Sequence, residues 1–386
     1  MIELDDRRRR IRDDARAFVR DEVLPIAAEL DPRGEDMPWS LVDRLAELGY
    51  LGAAIAEEHG GLGYGMVDYC ILIEELARGW LSVASVVGRG NRILDEVLTT
   101  DELRARYLPR IARGELICAF ALSEAEAGSD VANVACRAAE TGDGWRIEGR
   151  KRWCGFAWRA DAILLFARTD HPPEDAPHRG ISAFLIEKDR ESFPDGLTGT
   201  PIDKIGYHGL TTWELTFDGL ELPAEALMGE RGEAFYGVME GLDRKRVYTA
   251  ARAVGLARGA LEDALAYATR REQFDQQLAD FQAIRFSLAD MATQIEAARA
   301  LTLGAADALD RGGRVDREAA MAKLFATEMA ERVTRDGMQI HGGNGYISAT
   351  PAQRYWRDAR LTTIFEGTSE IQRRIIADRL LEDDLV

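Results

Sequence analysis

The spacing of apolar residues changes twice along this chain of 386 residues. Up to about residue 116, stretches such as IRDDARAFVRDEVLPIAAEL repeat with the period of an amphipathic helix. Between about 117 and 222, short apolar or alternating runs such as DAILLFART and ISAFLIEK are separated by turn clusters, which is typical of strands. From about 223, long segments rich in Ala, Leu and Glu return to the helical period.

This pattern predicts an α+β chain with three domains, because 386 residues exceed one small core. We place an α-helical domain at 1–116, a β domain at 117–222 and a helical bundle at 223–386. Within the first domain, DYCILIEELARGWLSVASVV is predicted to form one long buried helix. A β domain between two helical domains creates interfaces, where ligand sites are common.

Composition excludes several classes of protein. The formal net charge of −18 argues against nucleic acid and anionic membrane surfaces as partners. We find neither a signal peptide nor an apolar run of about 18 residues, so a cytoplasmic location is expected. The four cysteines lie 18 or more residues apart, which predicts buried thiols and no metal site.

Four stretches stand out as candidates for chemistry, and each has an ordinary structural explanation as well. FALSEAEAGSD (120–130) is a polar turn that can hold a phosphate, or a plain connection after a strand. RREQFD (270–275) places Arg271 and Phe274 on one predicted helix face, where an exposed arginine above a core phenylalanine is the alternative. QIHGGNGY (339–346) is either a helix cap or a close approach to a pyrophosphate.

The fourth stretch, TTIFEGTSEIQRR (362–374), places Glu366 between an apolar run and a new helix. A carboxylate at such a junction either stabilises the helix dipole or serves as a base aimed at a substrate. Residues alone leave these alternatives open.

Taken together and in this order, the stretches ALSEAEAGSD, Trp153, GLDRKR, RREQF, IHGGNGY and IFEGTSEIQRR resemble the acyl-CoA dehydrogenase family. The resemblance covers nearly the whole chain. It implies an N-terminal helical domain, a central β-barrel or β-sandwich domain and a C-terminal four-helix bundle, assembled as a homo-oligomer, usually a homotetramer.

The resemblance implies FAD as the cofactor and α,β-dehydrogenation of an acyl-CoA to the trans-2-enoyl-CoA in lipid metabolism. Glu366 matches the family's catalytic base, which abstracts the α-proton while flavin N5 accepts the β-hydride. Some members carry the base in the LDxxR motif instead, but this chain has Lys245 there. An electron-transfer flavoprotein is the implied electron acceptor.

The resemblance also assigns binding residues. The flavin and its dinucleotide are expected to contact Phe120, Leu122, Ser123, Gly128, Ser129, Trp153, Gly155, Arg271, Phe274, Leu278, Gln339, Gly342, Gly343, Thr368 and Glu370. Of these, Arg271, Phe274, Leu278, Gln339, Gly342 and Gly343 match positions that reach the cofactor from a neighbouring subunit. The acyl-CoA is expected to contact Ser129, Asp243, Arg246, Phe365 and Gly367, although Asp243 and Arg246 also fit an ordinary ion pair.

Some residues depart from the family pattern. Gly155 stands where a threonine hydroxyl usually meets flavin N5, and Glu370 replaces a frequent glutamine. Arg89 and Arg92 follow the predicted buried helix. They are either surface or interface residues, or they read a second carboxylate on the acyl chain.

Three other functions remain as alternatives. A flavin oxidase or monooxygenase of the same fold is favoured only by Gly155. A dehydrogenase of carrier-protein-tethered acyl groups is disfavoured by the acidic composition, since carrier proteins are themselves acidic. A non-catalytic flavoprotein is disfavoured by the presence of Glu366.

Overall fold

The computed structural model describes residues 4–382, apart from 92–93, 95–96, 173–175 and 177. The N-terminal part is helical, with α1 at Asp6–Phe18, α2 at Leu24–Leu30, α3 at Trp39–Glu47, α4 at Met66–Gly79, α5 at Leu81–Gly90 and α6 at Asp101–Ala112. One turn of π-helix, Val19–Val23, joins α1 to α2. Asp5 caps α1 by accepting the N–H of Arg8 at 2.8 Å, and Thr100 caps α6 by accepting that of Leu103 at 3.2 Å.

The long buried helix predicted around residue 80 is two helices. Trp80 has extended dihedrals, φ −159° and ψ 121°, and it separates α4 from α5. Its indole packs against Gly209, where a Cβ would overlap the ring. A contact with a residue far along the chain therefore overrides the continuous helical pattern.

The central part forms one hydrogen-bonded sheet. Its strands are β1 at Cys118–Ala121, β2 at Arg137–Glu140, β3 at Gly144–Gly155, β4 at Ala162–Arg168, β5 at Ile181–Glu187, β6 at Leu197–Ile202, β7 at Thr212–Pro223 and β8 at Leu227–Met228. The order along the sheet is β6, β7, β3, β2, β4, β5, β8, and β1 pairs in parallel with β4.

Strand β3 is irregular where it matters for the site. Its register against β7 shifts between Lys151 and Cys154. Within this bulge Trp153 has a φ of 65°, a conformation that L-residues rarely adopt. The irregularity turns the indole out of the regular alternation of the strand.

The C-terminal part is again helical, with α7 at Ala234–Ala268, α8 at Gln282–Arg311, α9 at Asp316–His341, α10 at Ala352–Thr362 and α11 at Ser369–Glu382. A small hairpin of β9, Glu272–Gln273, and β10, Gln276–Gln277, separates α7 from α8. Helices α7, α8 and α9 pack along one another, and α10 and α11 pack on α9. This arrangement confirms the predicted α, β, α order and fold class, whereas the domain boundaries stay a prediction.

Two neighbouring carboxylates on α4 join the two helical parts. Glu74 and Glu75 are buried and both bind Arg258 of α7. Glu74 also binds Arg299 of α8, and Glu75 binds Arg16 of α1 at 3.0 Å. These pairs neutralise charges that would otherwise be costly to bury.

The four cysteines are free and buried, as predicted. Burial raises the pKa of Cys118, Cys136 and Cys154 to about 12, so these thiols stay protonated and act as small apolar side chains. Among the described residues, the helices lack the length and apolar content needed to cross a membrane.

Candidate active site

The loop between α10 and α11 presents Glu366. Two consecutive residues there have left-handed backbone, with φ of 53° at Glu366 and 85° at Gly367. Lys323 of α9 donates from Nζ to the carbonyl of Gly367 at 2.6 Å, and Gln372 of α11 donates from Nε2 to the same oxygen at 3.0 Å. A non-glycine residue in this conformation is strained by about 1–3 kcal/mol, and such strain concentrates at functional sites.

The carboxylate of Glu366 is half-buried, and within the described part of the chain it accepts no hydrogen bond and forms no ion pair. Its negative charge favours the protonated form of nearby Lys323. Burial nevertheless lowers the pKa of Lys323 to about 8. The loop thus holds an acceptor free for a substrate proton, beside a buried lysine.

Phe365 lies on the other side of the loop, between two side chains from distant parts of the sequence. The Tyr207 ring meets it edge-on, with centroids 6.2 Å apart. The guanidinium carbon of Arg252, on α7, is 4.5 Å from the Phe365 ring centre and 4.1 Å from that of Tyr248. Arg252 is therefore stacked between two aromatic rings next to Glu366.

Asp243 and Arg246 form an ion pair on α7, with Nη1 of the arginine 2.5 Å from Oδ1. Burial raises the pKa of Asp243, and Arg246 opposes this effect. One turn of the same helix, carrying Lys245, faces the sheet. Its Nζ lies 4.6 Å from the ring centre of Phe120. The ion pair of Asp243 and Arg246, predicted to bind the substrate, therefore lies on a helix that faces Phe120, predicted to bind the flavin.

The turn after β1 is anchored by a fully buried lysine. Lys151 of β3 donates from Nζ to the carbonyl of Leu122 at 2.8 Å and to Oε1 of Glu124 at 2.7 Å. The N–H of Arg152 donates to the carbonyl of Ser123 at 2.8 Å. These bonds place the predicted flavin turn beside Trp153, whose ring is 56% exposed.

Farther along this turn, Gly128 and Ser129 are exposed, and a Cβ on Gly128 would meet nothing within 4 Å. The turn is closed by paired hydrogen bonds between Glu124 and Ala127. It therefore presents an open polar surface beside the exposed indole.

Gly155, at the end of β3, has an unexpected neighbour. A Cβ atom built on it would lie 2.5 Å from Nη2 of Arg89, on the last turn of α5. The guanidinium therefore occupies the place of a side chain at 155. Arg89 is half-buried, with its guanidinium against Gly155, and Arg92 lies outside the described residues.

A chain of neighbours connects this point to Glu366. Burial raises the pKa of Tyr248 to about 12, and the charges of Arg89 and Glu366 act on the same hydroxyl in opposite directions. Arg89, beside the predicted flavin wall, and the predicted base Glu366 therefore both lie in the neighbourhood of Tyr248.

The residues predicted to reach a neighbouring subunit form a separate patch. The prediction that Arg271 and Phe274 share a helix face is wrong, because α7 ends at Ala268 and both residues lie on the β9–β10 hairpin. Phe274 and Asp275 form its two-residue turn with φ of 55° and 60°. Leu278 follows, and its N–H donates to the carbonyl of Arg271 at 2.8 Å.

The end of α9 lies beside this hairpin. Gln339, Gly342 and Gly343 are exposed there. Tyr267, at the end of α7, packs on His341 with ring centroids 4.6 Å apart and accepts a hydrogen bond from Asn344 at 2.9 Å. In the part of the chain that the structure describes, no hydrogen bond or ion pair connects this patch to Trp153 or Glu366.

Thr368 and Glu370 line a groove of about 520 Å³ at the start of α11. The Thr368 hydroxyl caps α11 by accepting the N–H of Ile371 at 3.3 Å. Hydrogen bonds from its own N–H and from Thr368 hold the pKa of Glu370 below its usual range. Arg332, Arg335 and Arg360 also line the groove, together with Glu328 and Glu331.

The sequence reasoning missed Lys323, Gln372, Lys151 and Arg252. Lys323 carried a visible signal, because it is a lysine among alanines on the buried face of α9. Residue 367 needs glycine because its φ is 85°, and Gln372 adds to this requirement, since a Cβ there would lie 2.5 Å from its Nε2. Arg252 gave no signal, because nothing local marks which arginine of α7 is buried.

The residues present fit a flavin dinucleotide. An exposed indole held by strained backbone suits a planar ring system, and the open turn at Gly128 and Ser129 offers polar groups around it. The exposed Phe274, 89% accessible, and Arg271 suit an adenine and a diphosphate supplied by a second chain.

Comparison with known proteins agrees with this geometry. Family models match in succession: acyl-CoA dehydrogenase, N-terminal domain at residues 5–115, middle domain at 119–220 and C-terminal domain at 232–381. The (2S)-methylsuccinyl-CoA dehydrogenase of Cereibacter sphaeroides is 39% identical over 98% of this chain and 70% of its own. The mitochondrial short-chain specific acyl-CoA dehydrogenase of Bos taurus is 39% identical over 99% of this chain and 92% of its own.

A solved chain from work on the electron transferring flavoprotein of Acidaminococcus fermentans superposes with a TM-score of 0.93. It is 36% identical, and the match covers 99% of this chain and 100% of that one. Sequence, fold and the arrangement around Glu366 thus lead to one assignment. The chain belongs to the acyl-CoA dehydrogenase family, whose members use FAD, and it is an acyl-CoA dehydrogenase, a flavoprotein oxidoreductase.

Proposed function

We propose that the chain binds FAD and converts an acyl-CoA into the trans-2-enoyl-CoA, with Glu366 as the base. The observation that carries this proposal is the free carboxylate of Glu366 on a strained backbone. Lys323 and Gln372 hold this backbone by donating hydrogen bonds to the carbonyl of Gly367. A side chain maintained in this way, without a structural partner, suits proton abstraction.

The reaction removes two hydrogens from adjacent carbons. The proton on Cα goes to the Glu366 carboxylate, the hydrogen on Cβ leaves with its electron pair, and a double bond forms between these carbons. The bound flavin supplies the acceptor for that hydride. An electron-transfer flavoprotein is the proposed electron acceptor, which the similarity to a chain solved in work on such a protein supports.

The protein must also stabilise the negative charge that develops on the thioester oxygen. The backbone N–H of Glu366 donates to no other group among the described residues, so it is available to the thioester carbonyl. One such donor is worth about 3–4 kcal/mol at the transition state. Phe365 and Gly367 shape this position, and Asp243, Arg246 and Ser129 lie farther along the proposed acyl-CoA path.

For the cofactor, we propose that Phe120, Leu122, Ser123, Gly128, Ser129, Trp153 and Gly155 surround the flavin, with Thr368 and Glu370 nearby. The separate patch of Arg271, Phe274, Leu278, Gln339, Gly342 and Gly343 contacts the dinucleotide of another subunit. A homo-oligomer, a tetramer in our proposal, is then required for complete cofactor sites. The exposure of Phe274 supports this arrangement.

The test uses the FAD-loaded oligomer without oxygen. Acyl-CoAs of different chain types are added, and loss of the oxidised flavin absorbance is followed. We expect rapid bleaching by at least one thioester and a loss of about 10²–10⁴-fold in Glu366→Gln, because the base is removed. Glu225→Gln, which changes an exposed carboxylate outside the proposed site, is the matched control and should still bleach. Equal bleaching by Glu366→Gln would disprove the assignment.

A further inference from the structure

Arg252 is a buried cation with only neutral partners. It is 2% exposed. Its Nη1 donates to the hydroxyl of Ser85 at 3.0 Å and its Nη2 to that of Thr249 at 2.7 Å. Its Nε is buried without any partner. A guanidinium in this setting has lost water and gained no carboxylate in return.

Arg89, which is half-buried, is a second cation without a carboxylate partner. Its Nε is also buried without a partner, and in the described part of the chain no carboxylate pairs with its guanidinium. The group instead lies against the bare backbone of Gly155. Both arginines are held in place by contacts that leave their positive charge uncompensated.

The two arginines lie on either side of Tyr248. The Arg252 guanidinium carbon is 4.1 Å from the Tyr248 ring centre, and Arg89 belongs to α5, the helix that the Tyr248 hydroxyl contacts. Arg252, Arg89 and Glu366 are all near enough to influence this hydroxyl electrostatically. Two cations thus face one carboxylate in a chain whose net charge is −18. A local positive excess in so acidic a protein is a specific feature of this pocket.

Tyr248 bridges two helices in this region. The Tyr248 hydroxyl donates to the carbonyl of Ala84 at 2.6 Å, which connects α7 to α5. It reaches there only because residue 88 is glycine, since a Cβ at that position would collide with the hydroxyl. A side chain that spans the two helices here would stop a long acyl chain.

We propose that the acyl group of the substrate is short and ends in a carboxylate, which Arg89 binds directly while Arg252 stabilises the same charge from behind Tyr248. This inference rests on the proposed function, because it concerns the acyl end of the same pocket. Arginine suits a planar carboxylate since its parallel N–H groups match the two oxygens. An acyl group of the same length that ends in a methyl group would leave both cations unpaired.

The experiment measures binding, so that it is independent of turnover. The FAD-loaded Glu366→Gln oligomer is titrated calorimetrically with succinyl-CoA and butanoyl-CoA, and with glutaryl-CoA and pentanoyl-CoA. Each pair differs only in a terminal carboxylate in place of a methyl group. We expect the dicarboxylic member of at least one pair to bind at least about tenfold more tightly.

Variants identify the residue responsible. Arg89→Met, added to Glu366→Gln, should bring the preference close to one, and Arg89→Gln serves if the methionine variant loses FAD. Arg104→Met, which removes an exposed arginine paired with Asp101, should leave the preference unchanged. Equal affinities within both pairs, or equal weakening of both members by Arg89→Met, would overturn the inference.

Two further results separate its failure from that of the proposed function. If wild-type flavin is bleached by butanoyl-CoA and succinyl-CoA has no advantage, the dehydrogenation stands and the carboxylate site is rejected. If Arg89→Met shifts the absorption spectrum of the free holoenzyme and leaves the preference intact, Arg89 serves the flavin, which also overturns the inference. Absence of bleaching by any thioester rejects both proposals.

Discussion

The guanidinium of Arg89 fills the space that a side chain on Gly155 would need, with Nη2 2.5 Å from the position of the missing Cβ. From the family resemblance we expect a hydroxyl at residue 155, and the arginine lies 66 positions earlier in the chain, on α5. Arg89 can occupy this position only because residue 155 has no side chain. A larger residue at 155 would therefore have to displace the guanidinium.

Gly155→Thr should expose this coupling. We expect it to lower the free energy of unfolding by about 1–3 kcal/mol, because the new side chain overpacks against Arg89. In an Arg89→Ala background the same change should be close to neutral. Denaturant unfolding of the four proteins in the cycle measures the difference, and additive effects would show that the two residues do not touch. The flavin reduction potential of the same variants tests whether residue 155 borders N5.

Gly367→Ala should reduce turnover without loss of FAD. The new Cβ would lie 2.5 Å from Nε2 of Gln372, and the residue would need a φ of 85°. Both effects displace the neighbouring Glu366, and a shift of about 1 Å costs on the order of 100-fold in rate. Single-turnover bleaching and the bound FAD content are the measurements. Gly304→Ala on α8, where a Cβ meets nothing within 4 Å, is the control and should be slightly stabilising.

Lys151→Met should destabilise the protein by about 3–5 kcal/mol, because it leaves the carboxylate of Glu124 without its buried cation. Bound FAD should fall as well, since the turn at Leu122 loses its anchor. Arg146→Met removes an exposed ion pair with Glu148 and should cost less than about 1 kcal/mol. Similar losses in both variants, measured by chemical unfolding, would contradict the anchoring role.

Asp358→Asn should change how stability depends on pH. Burial and the neighbouring Asp31 raise the pKa of Asp358 from 3.8 to about 6. Between these values the folded protein keeps the proton that the unfolded chain has lost, so wild-type stability falls as the pH rises through this window. Because of this raised pKa, the free energy of unfolding is lower by at most about 3 kcal/mol above pH 6 than it is below pH 4.

Asparagine carries no charge and can still accept the N–H of Tyr207, which lies 2.6 Å from Oδ1. The variant should therefore be more stable than wild type at pH 7.5 and equal to it below pH 4. Thermal unfolding across this range tests the sign, with Asp143→Asn in an exposed turn as the control. A constant difference at every pH would show that this carboxyl does not titrate as described.

Phe274→Asn should separate folding from assembly. Asparagine adopts the left-handed conformation readily, so the hairpin turn should gain up to about 1 kcal/mol of stability. The exposed ring, however, is proposed to contact the cofactor of another subunit. We expect weaker FAD retention and dissociation of the oligomer, measured by absorbance and light scattering. Unchanged FAD content would place this ring outside the cofactor site.

The order of helices and strands and the position of Glu366 could be predicted from the sequence, because they depend on local periodicity and on a motif. The break at Trp80 could not, since it depends on the indole packing against Gly209. The hairpin at Phe274 was hidden because its turn lacks the glycine that usually marks left-handed backbone. Arg252 and Arg89 acquire their meaning only when three segments meet in space.

The paired carboxylates Glu74 and Glu75 have a consequence for how the protein comes apart. Their partners lie on α1, α7 and α8, so separating the N-terminal helices from the bundle would leave several buried charges unpaired at once. Intermediate states with only one helical layer in place are therefore strongly disfavoured. Although the chain has three domains, its two helical layers should melt together in a single cooperative transition.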